Sequence, residues 1–270
     1  MLFRSVFEPY FGDGSDFGIR IKYSIEHEPL GTGGAIAHAA QQLNLAPEES
    51  FFVFNGDVIS AHDLTEQNEI HQCTGAQATL HLVEVEDARA YGCVPLDDDG
   101  RVQQFLEKMD NPIAKTINAG CYILTSNVVA AIKPGEVVSV ERETFPKLLE
   151  SGARVTGFVD SQYWIDMGTP QSLIQASRDL ILVPGRTSLR TGATNGSLIS
   201  TGAKVDPTAR IGEGSCIEDG AVIGAGAIIS GSIISAGAKI EAGAVIIDSF
   251  IAPDARVISG SSLNNVIFGY

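Results

Sequence analysis

From Leu198 onward, aliphatic residues recur at a fixed interval of six, and that interval excludes most folds. Val205, Ile211, Ile217, Ile223 and Ile229 keep it without a break, and a small residue stands four further on at Ala209, Ser215, Ala221 and Ala227. After a one-residue slip the pattern resumes at Ile234, Ile240 and Ile246, with Ala238, Ala244 and Phe250 in the following places. A second slip leads to Ile251 and Val257, with Ala255 and Ser261. Helical periodicity of 3.6 cannot hold a strict six, so the spacing predicts a parallel β-helix of hexapeptides, three to a coil. The aliphatic residue fills the core and the small one fits where the wall bends. Gly212, Gly214, Gly220, Gly224, Gly226, Gly237 and Gly243 are expected to supply the turn dihedrals.

The first 180 residues follow a different rule. Gly18 to Ile25 alternates apolar and polar residues, as a half-buried strand does. Gly33 to Gln42 is Ala-rich and reads as a helix. Phe51 to Phe54 is a short, continuous apolar run, expected of a strand covered on both faces. Ala76 to Val85 and Ala119 to Leu124 read as further strands, and Ser126 to Ile132 as a helix. This β/α alternation predicts a doubly wound α/β domain over 1–180, a linker over 181–197 and the β-helix over 198–270.

Composition narrows the partners. The net charge is -15 over 270 residues, and Lys and Arg form no cluster. Nucleic acid and anionic membranes are therefore not expected as partners. The four cysteines, Cys73, Cys93, Cys121 and Cys216, have no metal-like spacing and are expected to be small buried hydrophobes in a reducing compartment. No stretch has the length of a membrane span, and the first residues lack a signal-peptide layout, so the expected location is the cytoplasm.

Four segments carry residue types suited to chemistry. Glu26 to Ala35 (Glu-His-Glu-Pro-Leu-Gly-Thr-Gly-Gly-Ala) runs through a Gly-rich turn into a helix, whose first amides attract anions. Turn geometry alone would explain such glycines equally well. Asn55-Gly56-Asp57 follows an apolar strand, where α/β sheets bind ligands and where a carboxylate suits a hard cation such as Mg²⁺. Trp164-Ile165-Asp166-Met167-Gly168-Thr169-Pro170 offers a second carboxylate and a helix start with Pro at its first position. Glu107-Lys108 pairs an anion with a cation.

Taken in order, these segments resemble the sugar-1-phosphate nucleotidyltransferase family. Asn118-Ala119-Gly120 and Glu141-Arg142-Glu143-x-Phe145-Pro146 extend the match, which covers residues 7 to 175. The resemblance implies an incomplete Rossmann-like nucleotidyltransferase domain. It also implies a left hand for the β-helix, as in hexapeptide-repeat proteins. The implied reaction joins a nucleoside triphosphate and a sugar 1-phosphate to give an NDP-sugar and pyrophosphate, by positioning and charge neutralisation. Asp57, Lys108 and Asp166 are the implied catalytic residues, with Asp57 and Asp166 holding Mg²⁺. Glu26, Leu30, Gly31, Thr32 and Gly33 are implied at the nucleotide, and Gly92, Glu107, Asn118 and Ala119 at the sugar. At Glu26 a carboxylate, which only accepts, matches the adjacent N1–H and amino donors of guanine. Glu28 competes for that role. The Glu26 chemistry thus favours GTP, and the resemblance implies mannose 1-phosphate as its partner, with dTTP or UTP and glucose 1-phosphate as the alternative.

Two features depart from the family pattern. Met109 stands where Pro usually follows Glu-Lys. The Gly-x-Gly-Thr-Arg-Leu loop that opens the family is not found in these 270 residues, and the resemblance starts within the third β/α element. Since a βαβ unit takes about 30 residues or more, on the order of two such units are missing from the match. Unpaired strand edges, uncovered apolar surface and little transferase activity are the expectations for this chain. A non-catalytic regulatory or assembly subunit is therefore a competing reading. A hexapeptide-repeat acyltransferase is disfavoured, because all five histidines (27, 38, 62, 71 and 81) precede the repeats. Flat coil edges stack readily, so a homo-oligomer is expected.

Overall fold

The computed structural model describes residues 4–106, 108–183 and 195–269. Most of the expected linker therefore lies outside the described residues. Two compact units result: residues 1–55 with 63–161, and residues 56–62 with 162–270.

In the first unit, β1 (Ser50–Phe54), β3 (Ala78–Glu84), β4 (Thr116–Thr125) and β5 (Val155–Asp160) form one sheet in the order β1-β4-β3-β5. The sheet is mixed: β4 runs antiparallel to both neighbours, while β3 and β5 are parallel. Leu80, Leu82, Tyr122 and Leu124 of the inner strands and Val155 of β5 are essentially inaccessible to water, and Phe145 packs with them. Helices α2 (Gly31–Ala40), α3 (Leu64–Thr74), α4 (Ser126–Ala130) and α5 (Phe145–Glu150) belong to the same unit, as does α1 (Arg4–Phe11).

Two expectations fail here for one reason, that a strand is defined by its partners. Residues 18–25 form no ladder among the described residues. Their backbone and side chains turn back on the preceding loop instead: Ile21 N–H donates to the Asp13 carbonyl at 2.7 Å and the Tyr23 hydroxyl to the Gly12 carbonyl at 2.9 Å. Strand β1 does form, yet it is the sheet's edge, paired only with β4 among the described strands, and is not covered on both faces. Phe54 is 55% exposed and its ring stacks on Phe52.

The second unit contains the ladder of β2 (Val58–Ser60) with β6 (Trp164–Asp166), the helix α6 (Pro170–Leu182) and the coils. Three parallel sheets line the coils. Inward-facing Ile217, Ile223, Ile229, Ile234, Ile240, Ile246, Ile251 and Val257 form one buried column with Ala221, Ala227, Ala238 and Ala244. The slips in the sequence are short corners. Cys216 pairs with Leu198, eighteen residues earlier, whereas Ile233, Phe250 and Ile267 follow at seventeen. The three shortened corners carry left-handed residues, Gly231, Asp248 and Asn265 at φ 55°, 46° and 52°. Shortening also moves Phe250 out of the small-residue place assigned to it: it pairs beside Ile233 on a wall, and buried Ser249 takes the corner. Gly212 and Gly224 are not left-handed. A Cβ on Gly224 would lie 2.8 Å from Ala242 N, so the glycine there makes room for the next coil. Of the cysteines, Cys93 and Cys121 are buried and Cys216 partly so, but Cys73 is exposed, near the end of α3. Burial pushes the Cys121 thiol up to about 12.

Alternation in the coil wall sets up a paired test. Ile229 is fully buried and its neighbour Ile228 is 39% exposed. Ile229→Ala is expected to cost about 2–5 kcal/mol, and Ile228→Ala within about 0.5 kcal/mol, read from denaturant midpoints.

Candidate functional site

The Gly-rich turn is shaped by a close approach of backbone to backbone. The Val138 carbonyl accepts from Gly33 N–H at 2.8 Å and Gly34 N–H at 3.3 Å, and Val138 N–H donates to the Leu30 carbonyl at 2.9 Å. A Cβ on Gly31 would lie 2.6 Å from the Val138 oxygen, and one on Gly34 would collide with the Glu136 carbonyl. Two of the amides expected to face an anion are thus committed to Val138, and internal packing accounts for the glycines. Gly31, at φ 68°, needs its left-handed conformation as well. The Glu26 carboxylate accepts from Leu30 N–H at 3.0 Å and closes the turn.

Hydrogen bonds tie this turn to the strand bearing the expected sugar residues. The Thr32 hydroxyl donates to Glu141 Oε2 at 3.1 Å and accepts from Val140 N–H at 2.8 Å. Glu141 sits in a π-helical turn, Val140–Thr144, and its Oε1 accepts from the Tyr122 hydroxyl at 3.2 Å. That hydroxyl accepts from Asn118 Nδ2 at 2.7 Å, while Asn118 Oδ1 accepts from Gly120 N–H at 3.1 Å. Burial, and then the Glu141 charge, hold the Tyr122 phenol far above the usual tyrosine range, so it remains a neutral donor.

An irregularity in β4 makes this geometry possible. Leu80 pairs with Tyr122 and Leu82 with Asn118, so three residues of β4 face one of β3. Gly120 lies in that bulge at φ 78°, and a Cβ there would meet the Asn55 side chain at 2.9 Å. Asn55 N–H donates to the Gly120 carbonyl at 2.8 Å. The start of the Asn-Gly-Asp motif and the Asn-Ala-Gly motif are therefore in contact. Ala119 is buried beside them. Gly92, at φ 77°, precedes Cys93, whose N–H and carbonyl both bond Leu106 at 3.0 Å. Lys108 is exposed, and Glu107 lies outside the described residues.

Within the second unit, the ladder places the other two acids at one end. Val58 pairs with Asp166, and Met167 N–H donates to the Asp57 carbonyl at 2.8 Å. Asp166 Oδ1 accepts from Gly168 N–H at 2.7 Å, and a Cβ on Gly168 would sit 2.8 Å from that oxygen. The Asp-x-Gly spacing thus fixes a carboxylate rotamer. Thr169 and Ser172 form a reciprocal capping box and Pro170 opens α6, as the motif predicts. No group of three or more metal-ligating side chains occurs among the described residues. Two carboxylates suit a hard cation that takes its remaining oxygens from a phosphate ligand. No helix among the described residues is long and apolar enough to cross a membrane.

Tyr122, Val138 and the role of Glu141 are absent from the sequence reading, because each acts through a partner distant in the chain. Packing at the turn gives a direct test. Gly34→Ala is expected to destabilise the protein by about 1–3 kcal/mol through overpacking, while Gly56→Ala, where an added Cβ meets nothing within 4 Å, changes stability within about 0.5 kcal/mol. Chemical denaturation measures both.

Comparison with known proteins agrees with this architecture. The nucleotidyl transferase family model matches residues 4–181, and the GMPPB C-terminal domain model matches residues 193–270. A mannose-1-phosphate guanylyltransferase of Mycobacterium tuberculosis is 45% identical over 223 residues, covering 82% of this chain and 61% of its own. Mannose-1-phosphate guanylyltransferase 1 of Arabidopsis thaliana is 37% identical, covering 78% of this chain and 58% of its own. The chain thus spans about 60% of the length of these curated relatives. A crystal structure from Bacillus anthracis, assigned as a glucose-1-phosphate thymidylyltransferase, shares the fold with a TM-score of 0.55 at 22% identity, covering 63% of this chain and 68% of its own. With its first 181 residues matched nearly throughout and a β-helix behind them, the chain belongs to the nucleotidyl transferase family.

Proposed function

We propose that this chain serves the transfer of a guanylyl group from GTP to mannose 1-phosphate, giving GDP-mannose and pyrophosphate. The observation that carries the reading is the 45% identity to a mannose-1-phosphate guanylyltransferase over 223 residues. Polar connections between the Gly-rich turn and Asn118 support it, since they hold the residues assigned to nucleotide and sugar in one network.

In this reading Leu30, Gly31, Thr32 and Gly33 form the nucleotide wall, and Glu26 accepts from guanine. The bond from Leu30 N–H occupies one Glu26 oxygen, and a carboxylate offers about four lone-pair sites, so capacity for base donors remains. Asn118, Ala119 and Gly92, with Glu107, bound the sugar. Lys108 neutralises the sugar phosphate. Asp57 and Asp166 would hold Mg²⁺, which when bound supplies charge neutralisation at the phosphates. Gly168 keeps the Asp166 carboxylate turned to one side through its N–H. The protein's own residues bind, orient and neutralise, and the reaction asks for no covalent enzyme intermediate.

Calorimetric titration of the 270-residue chain with GTP, ATP, UTP and dTTP tests the base assignment. GTP is expected to bind at least about tenfold more tightly than the others, the size of a hydrogen bond to a charged group, and Glu26→Gln narrows that gap. Equal affinity for the four nucleotides sinks the assignment.

A further inference from the structure

We infer that Glu141 and Tyr122 are positioning residues that hold the nucleotide turn and the sugar-side amide in one hydrogen-bonded relay. The inference rests on the assignments proposed for Thr32 and Asn118 and adds how they are kept in register.

The direction of the relay follows from donor chemistry. A carboxylate accepts only, so every hydroxyl that meets Glu141 donates to it. Thr32 and Ser139 donate to Oε2 at 3.1 and 3.3 Å, and Tyr122 donates to Oε1 at 3.2 Å. Having given up its only proton, the Tyr122 oxygen can only accept, and it accepts from Asn118 Nδ2 at 2.7 Å. Gly120 N–H then fixes Oδ1 of the same amide at 3.1 Å. Donor and acceptor ends of Asn118 are therefore assigned by a charge located elsewhere. Thr32 is held from its other side as well, since its oxygen accepts from Val140 N–H at 2.8 Å.

Placement strengthens the case. Tyr122 is 1% exposed, and its ring packs edge-on to Phe145 at a centroid distance of 5.3 Å. Its hydroxyl therefore cannot turn to water for an alternative partner. Glu141 and Phe145 belong to adjoining helical turns, so the segment that supplies the carboxylate also supplies the ring that fixes the phenol. Neither residue needs to touch a ligand for its loss to be felt: Tyr122 acts on the Asn118 side alone, and Glu141 on Thr32 and Asn118 together.

Two measurements on the full chain test this. The first needs no ligand: in ¹⁵N spectra, Glu141→Gln should shift the Val140 backbone amide and the Asn118 side-chain amide together, and Tyr122→Phe should shift the Asn118 side-chain amide. Glu141→Gln shifting Val140 while Asn118 stays in place would overturn the relay. The second is binding of GTP and of mannose 1-phosphate. Tyr122→Phe is expected to weaken the sugar phosphate roughly tenfold and leave GTP within about twofold, whereas Glu141→Gln weakens both. On the sugar phosphate the double variant should be no worse than the more damaging single variant, as for residues acting in one chain. Additive losses, or equal losses of both ligands in Tyr122→Phe, mark a merely structural role and refute the inference. If the unaltered chain binds neither ligand, the proposed function fails on its own, and the ¹⁵N comparison still decides the relay.

Discussion

Everything about the Gly-rich turn of the first unit depends on one carbonyl. Val138 C=O takes the amides of Gly33 and Gly34, and Val138 N–H returns a bond to Leu30. The close approach leaves no room for a Cβ at Gly31, against the Val138 oxygen, or at Gly34, against the Glu136 oxygen, and only a tight fit at Gly33. Because Val138 is pinned, the following residues enter a π-helical turn at a fixed place, and Glu141 arrives opposite Thr32. The turn is thus set by packing first. Any ligand contact it makes is inherited from that packing, which is why a methyl group on Gly34 is expected to act through stability.

In the second unit the coil corners play the equivalent part. Along one edge the corner residues are Gly214, Gly231, Asp248 and Asn265, all left-handed. Arg178 of α6 lies against Gly214 and Gly231 and pairs with Asp248. Side chains at the two glycines would exclude it, while the carboxylate at the third corner holds it. Helix α6 begins at the capping box two residues after Gly168, so the strand end bearing Asp166 continues into a helix clasped to the coils. Tyr163, just before that strand, ties it to the same helix by donating to Asp179 at 2.8 Å.

These features show what local sequence can and cannot carry. The coil core was legible because its period is a local property: Ile217, Ile223 and Ile229 each repeat the same environment. Two short corners were legible as well, as slips of the period before Ile234 and Ile251; the residue that turns each was not, because such a corner accepts Gly, Asp or Asn, and the third short corner emerges only from the pairing of Phe250 with Ile267. Strand β4 was legible as an apolar run, but its bulge depends on Asn55 meeting Gly120 across the sheet. The alternation of residues 18–25 is real, yet alternation describes a face and not a partner. Motifs marked the segments at 26–34 and 164–170, and of the two readings open for the glycines in the first, turn packing is the one that the bonds to Val138 support.

The acidic balance of the chain gains a sharper meaning from Glu141. A net charge of -15 is awkward for a protein whose proposed ligands are both anions. At Glu141 the charge is turned inward, with the hydroxyls of Thr32, Ser139 and Tyr122 converging on it. A carboxylate surrounded by donors projects less field than one in open solvent and gains orientation from each of them. An amide in its place could donate as well as accept, and the hydrogens of Tyr122 and Asn118 would lose their assigned direction. The acid differs there from an amide in one property, that of never donating, and that property carries from Thr32 to Asn118 through a single buried ring.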